Sequence, residues 1–175
     1  MKVLKEKGLE VLYLTDRIDE FTIKALMEYE GKQFKSINAS DFELDDEKAK
    51  EEKENLAKEN KPLLERIKNL LGEKIAEVKL NNSLGSGAAG LSAKGEISLE
   101  MEKTLSQIPG NENIKAEKIL ELNPNHPVFE KIKSSDDETL KDLIYILYNE
   151  SLMIEGFAME NPVEFAEKVN KVLSK

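Results

Sequence analysis

Ser135-Asp-Asp-Glu-Thr-Leu-Lys-Asp-Leu-Ile-Tyr-Ile-Leu-Tyr-Asn-Glu-Ser-Leu-Met-Ile-Glu-Gly156, followed closely by Asn161-Pro-Val-Glu-Phe-Ala-Glu-Lys-Val-Asn-Lys-Val-Leu173, is the most regular part of the chain. Ser135 or Asp136 offers a helix cap, and Leu140, Leu143, Ile144, Leu147, Ser151 and Leu152 fall on one helical face. Ile146, Tyr148 and Ile154 widen that face, and Gly156 supplies the stop. Asn161 caps a second helix, with Pro162 in its first position and Glu164 placed to reach back. Its apolar face is Phe165, Ala166, Val169, Val172 and Leu173. Either face could serve the core of its own chain. Two adjacent terminal helices with few other elements to cover them are instead expected to bury their surplus across a two-fold axis.

Upstream, the pattern mixes helices and strands. Val128 to Ile132 is a short helix, and Ile119-Leu-Glu-Leu122 is a strand stopped by Asn123-Pro-Asn-His-Pro127. A short amphipathic helix is predicted from about Glu96 to Gln107, ended by Pro109-Gly110-Asn111, with Ile97, Met101 and Leu105 recurring every four residues. Residues 81–95 are rich in Gly, Ser and Ala and read as loop, with a frayed strand near Leu91. Ile75, Val78 and Leu80 mark a strand. From Pro62 a helix carries Leu63, Leu64, Ile67, Leu70 and Leu71 and stops at Gly72.

Asp45 to Asn60 holds Leu56 as its one large apolar residue and reads as a solvated helix or a linker. Before it, residues 9–14 read as a buried strand. Thr15 or Asp16 then caps a helix bearing Ile18, Phe21, Ala25 and Tyr29, Gly31 stops it, and residues 34–37 form a second strand. This β-α-β piece is too small to close a core alone, so it is expected to be the tail of a domain whose body lies upstream. The expected organisation is α+β: residues 1–43 a small α/β tail, 44–61 a charged helix or linker, and 62–175 a domain ending in a helical bundle.

The 175 residues carry a net charge of −9, with 35% charged and 39% hydrophobic residues. So acidic a chain has no electrostatic reason to bind nucleic acid or an anionic membrane. Its longest apolar run, Leu143 to Tyr148, falls far short of the roughly 20 residues of a membrane span. Cysteine is absent, which removes disulfides and thiolate chemistry and fits a reducing cytoplasm. No extended apolar stretch comes after Met1-Lys-Val-Leu-Lys5, so no secretory leader is expected.

Gly85-Ser-Gly-Ala-Ala-Gly90 fits the spacing of a dinucleotide-binding turn, but no helix opens at Gly90, and Gly95 interrupts the residues after it. A flexible loop is the expectation, with no cofactor. His126 is the only histidine; without cysteines it makes no conventional zinc site, and a turn residue at a helix start accounts for it. Asp16, Asp19 and Glu20 are explained as helix-end carboxylates, and Asp41 to Glu47 lacks the glycine and spacing of a calcium loop. No catalytic or metal-binding residue is expected.

Three stretches together resemble the heat-shock protein 90 family in its bacterial branch. They are Glu10-Val-Leu-Tyr-Leu-Thr-Asp-Arg-Ile-Asp-Glu20 with Glu30-Gly31-Lys32, Leu120-Glu-Leu-Asn-Pro-Asn-His-Pro127, and Glu155-Gly-Phe-Ala-Met-Glu-Asn-Pro162 with Phe165. The resemblance implies the small α/β end of a middle domain, then an α+β C-terminal domain whose last two helices pair with a second chain. Homodimer contacts are then expected from Leu140, Leu143, Ile144, Leu147, Leu152, Phe165, Val169, Val172 and Leu173. It also implies that Ile97, Met101 and Leu105, an ordinary core face on bare periodicity, project into the cleft between subunits to meet unfolded client proteins. ATP and Mg belong to an N-terminal domain of that family, so this chain is expected to be a non-enzymatic chaperone module. A dimerising adaptor without client binding, and an enzyme using the Gly-rich loop, are the alternatives. Ser83 to Gly90 departs from the family pattern, which leaves the strand expected there open.

Overall fold

The computed structural model describes residues 4, 8–37, 47–111 and 113–174. The boundary expected at 43/44, the run from Asp41 as far as residue 46, and all of Met1–Lys5 except Leu4 lie outside the described residues. In chain order the elements are α1 (Asp19–Leu26), β1 (Glu28–Tyr29), β2 (Lys32–Gln33), α2 (Glu47–Glu59), α3 (Lys61–Leu71), a 3-10 turn (Gly72–Lys74) and β3 (Glu77–Leu80). Then come β4 (Ala89–Lys94), α4 (Leu99–Leu105), β5 (Glu117–Leu122), α5 (Pro127–Ser134), α6 (Asp137–Ile154) and α7 (Pro162–Leu173). The α+β expectation holds.

β5 is the middle of a three-stranded sheet, parallel to β3 and antiparallel to β4, with Leu120 opposite both Val78 and Leu91. Side chains alternate along a strand, so Leu120 and Leu122 share a face with Val78, Leu80, Leu91 and Ala93. That face forms one core with Ile67 and Leu71 of α3 and Leu140, Leu143, Ile144 and Leu147 of α6. Each fully buried leucine or isoleucine there contributes roughly 1.5–3 kcal/mol. The other face carries a polar set: Ser92 Oγ and Asn81 Nδ2 donate to the two carboxylate oxygens of Glu121 at 2.8 and 2.6 Å.

Residues 89–94 are a full strand, which corrects the expectation of a loop through 95. Ala, Gly and Ser are weak strand formers. The open edge of β5 pairs them nonetheless, and their small side chains let α6 pack directly on β4. On the opposite face of β4 Gly90 leaves little room, because a Cβ there would meet the end of the loop residue Leu84's side chain at 3.1 Å. The loop proper is pinned by Asn123, whose side chain donates to the carbonyls of Gly85 (3.1 Å) and Gly87 (2.9 Å) and accepts from the Asn125 backbone (3.0 Å). His126 acts as the N-cap of α5: its Nδ1 accepts the Val128 N–H at 3.2 Å, and Pro127 fills the first turn.

The N-terminal part departs more from expectation. Residues 9–14 form no strand, and Tyr13 is 71% exposed. A strand needs a hydrogen-bonded neighbour, and none lies beside this segment among the described residues. The helix is shorter than expected and ends at Leu26, so Tyr29 and Gly31 belong to a hairpin. Glu30 and Gly31 both have positive φ (50° and 74°), the geometry of a two-residue turn, and the second strand is Lys32–Gln33 rather than 34–37. The charged segment resolves as helix from Glu47 to Glu59.

Asn123→Ala should strand two loop carbonyls and one backbone N–H, costing about 1–3 kcal/mol in urea unfolding. Asn125→Ala, at an exposed position, should stay within about 0.5 kcal/mol of the parent.

Candidate functional site

α4 is short, and three separate contacts fix its position. Ser98 is its N-cap, accepting the Met101 N–H at 3.0 Å. Glu102 is buried and ion-paired with buried Lys118, and its Oε2 also accepts the Ala116 N–H at 2.8 Å. Lys103 donates to the Glu155 carbonyl at the end of α6 at 2.6 Å. The buried face of α4 is therefore Leu99 and Glu102. The helix begins at Leu99, not Glu96, so Ile97 precedes it, while Met101 and Leu105 stand one turn apart on it. Ile97, Met101 and Leu105 are all half-buried, neither sealed in the core nor bare. Ile97 packs against the edge of the core.

α1 lies against this stripe. Glu20 accepts the Ser98 hydroxyl at 2.7 Å, and Lys24 donates to the Glu96 carbonyl at 2.6 Å. Lys24 Nζ also sits 2.8 Å from the Met101 sulfur, and Arg17 donates to the Gln107 side chain. Asp19 organises the turn before α1 by accepting the Thr15 and Asp16 N–H groups, both at 3.0 Å.

The second candidate surface is the α6–α7 pair. Leu140, Leu143, Ile144 and Leu147 are buried within their own chain, against β4 and α3. That corrects their assignment to a surface between copies, since the core already consumes this part of the α6 face. Leu152, Phe165, Val169 and Val172 are half-buried, and Leu173 is 79% exposed. Ile154 (70%) and Val163 (69%) join Leu173 on the outside.

The turn between the two helices is built by Gly156. The Phe157 N–H bonds the Leu152 carbonyl (2.9 Å) and the Gly156 N–H bonds the Met153 carbonyl (3.0 Å), with Gly156 at φ 81°. Phe157 then tucks its ring beside the ammoniums of Lys118 (5.0 Å) and Lys103 (5.6 Å). Asn161 caps α7 through the Glu164 N–H at 3.1 Å.

α7 contains no buried residue, and charge does much of its anchoring. Asp142, buried on α6, takes Lys168 on one oxygen and Lys171 on the other, each at 2.8 Å. Lys171 also pairs with Glu138 at 2.7 Å, and Lys168 lies 5.1 Å from the centre of the Tyr145 ring. Burial pushes the Asp142 carboxyl up, but the two ammoniums outweigh it and hold the group below the usual carboxylate range. The bond to Asp142, then that to Glu138, raises Lys171. An acid set among Leu140, Leu143 and Ile144 was the sequence signal for this network, and periodicity alone passed it over.

The Gly85–Gly90 segment runs into β4 rather than a helix. Among the described residues no cluster of acids and histidine is placed to hold a metal, and no helix is long and apolar enough to cross a membrane.

A family model described as Hsp90 protein matches residues 1–175. The Chaperone protein HtpG of Fusobacterium nucleatum is 51% identical over 176 residues, covering 99% of this chain and 29% of that protein. The Chaperone protein HtpG of Alkaliphilus oremlandii is 45% identical (98% of this chain, 28% of that protein), and that of Bacillus subtilis 40% identical with the same coverage. The chain thus spans under a third of the length of the curated relatives it matches.

Acid should loosen α7. With the folded-state pKa of Asp142 depressed, the network's stabilisation is fully present above about pH 4 and is lost as pH falls further. Urea unfolding between about pH 5 and pH 2 should show a steeper acid decline in the parent than in Asp142→Asn, which has no such carboxylate to titrate.

Proposed function

The chain belongs to the Hsp90 protein family, and on that premise we propose that it is the dimerisation and client-contact module of an ATP-driven chaperone. What carries the reading is the apolar surface left over once the core is closed. On α6 and α7, Ile154, Val163 and Leu173 are exposed beside half-buried Leu152, Phe165, Val169 and Val172. Large apolar side chains left exposed on two adjacent helices favour reading this end of the chain as an interaction surface. Its place on the final two helices fits a homodimer, whose obligate interface typically buries on the order of 2,000 Å² or more. The contacting set now excludes the four core residues of α6.

The α4 stripe supports the second half of the proposal. Ile97, Met101 and Leu105 keep apolar surface half-open, and a flexible methionine adapts cheaply to varied partners. Contacts of this size are individually weak, which suits transient capture of unfolded chains. The exposed Leu9, Leu12, Tyr13, Leu14 and Ile18 support reading residues 8–37 as the end of a middle domain whose body covers them. In this reading the module works in the cytoplasm and hydrolyses no ATP itself; nucleotide and Mg are handled elsewhere in the full-length chaperone. A Gly-rich loop pinned by Asn123 and leading into a strand gives a nucleotide no helix N-terminus to bind. A dimerising adaptor without client contact is the competing reading, and substitution of Met101 separates the two.

Ile154→Glu combined with Leu173→Glu should place carboxylates in the interface and yield monomers by light scattering, with the melting temperature of the monomer fold kept. A parent chain already monomeric at concentrations on the order of tens of micromolar would sink the dimer proposal. Met101→Asp should weaken suppression of client aggregation several-fold while leaving mass and melting temperature nearly unchanged. Were it to unfold the domain instead, the stripe is core.

A further inference from the structure

We propose that α1 is a latch over the α4 stripe, and that clients gain Met101 only when Lys24 lets go of it. The inference rests on reading that stripe as the client surface and assigns its regulation to a particular pair of side chains. Lys24 Nζ lies 2.8 Å from the Met101 sulfur and 2.6 Å from the Glu96 carbonyl, so one ammonium spans the residues on both sides of the α4 N-cap. Glu20, one turn earlier on α1 and 3.3 Å from Lys24, accepts a hydrogen bond from the Ser98 hydroxyl. That bond turns the Ser98 lone pairs toward the Met101 N–H, which they accept. The same two α1 side chains therefore cover Met101 and orient the cap that starts its helix. Arg17, just ahead of α1, donates to Gln107, just past the end of α4.

The contact is built to open. α1 has no buried residue, so little apolar surface resists its departure. The atoms that tie it to α4 are polar and at or near the surface, where water replaces each bond. A thioether is a weak acceptor, so the ammonium gains little from it beyond what solvent offers. A client side chain that packs on Met101 gains apolar contact that Lys24 cannot supply. α1 is joined to α4 through residues 72 to 90 positions apart in sequence. Movement of the segment ahead of α2 relative to the sheet domain is thereby converted into exposure or cover of the stripe.

The test uses the whole chain and two readouts. Dilute hydrogen peroxide converts an accessible methionine to its sulfoxide, releasing water, and mass spectrometry of the Met101 peptide follows it. Met27 and Met153, both exposed, serve as internal references. Lys24→Ala should raise Met101 oxidation several-fold relative to those two and tighten binding of a reduced, unfolded probe protein by a similar factor. Lys24→Arg, which keeps a cationic donor, should stay close to the parent. Unchanged Met101 oxidation in Lys24→Ala overturns the latch, as does faster oxidation without tighter binding. If Met101→Asp leaves aggregation suppression intact, the client reading has failed, and the oxidation arm alone still decides whether Lys24 covers Met101.

Discussion

β5 has strands hydrogen-bonded to both its edges, and Ile119, Leu120 and Leu122 are completely buried in it. A small sheet with one central strand cannot lose that strand without losing every ladder at once. Its apolar face needs a cover, and α3 and α6 supply it. That demand explains why one face of α6 is buried from Thr139 to Ser151 and why β4 is made of small residues. It also sets what remains outside: the end of α6, the outer face of α7 and the half-open side of α4. The surfaces available for partners are the remainder after the β5 core is satisfied.

The three stretches that carried the family resemblance turn out to be joints rather than chemistry. Asn123 holds the Gly-rich loop and His126 caps α5 within a single pentapeptide. Gly156 and Phe157 end α6 with paired backbone bonds, and Lys103 closes over the same helix end. Glu20, in the first stretch, orients the cap of α4. Each joint sets the direction of an element that carries an apolar surface, so the function lives in geometry and no residue type announces it.

Most stops and caps were legible in the sequence because they are local: Asp136, Asn161 with Pro162, Gly72 and Gly156 act within a few residues, whereas the cap expected at Thr15 or Asp16 falls to Ile18 and the stop expected at Gly31 is a hairpin turn. The pairing of β4 was not, since the force that makes a strand of Ala89 to Lys94 lies in Glu117 to Leu122. Residues 9–14 show the reverse error, where strand-like composition met no partner strand. On α6, periodicity correctly put Leu140 and Leu147 on one face. What covers a face is a tertiary fact, and the core, not a second copy, covers this part of it. The Asp142 network was readable only as an oddity, an acid among leucines whose partners sit on the next helix.

Helix α7, with no fully buried residue and a docking built around one carboxylate and two ammoniums, will respond to heat differently from the sheet core. The cost of stripping water from charged groups falls as temperature rises, while the gain per unit of buried apolar area levels off. An ion-anchored helix therefore gives up comparatively little of its attachment on warming. In a protein of a heat-shock family, that places the most heat-tolerant kind of attachment on the last helix of the chain.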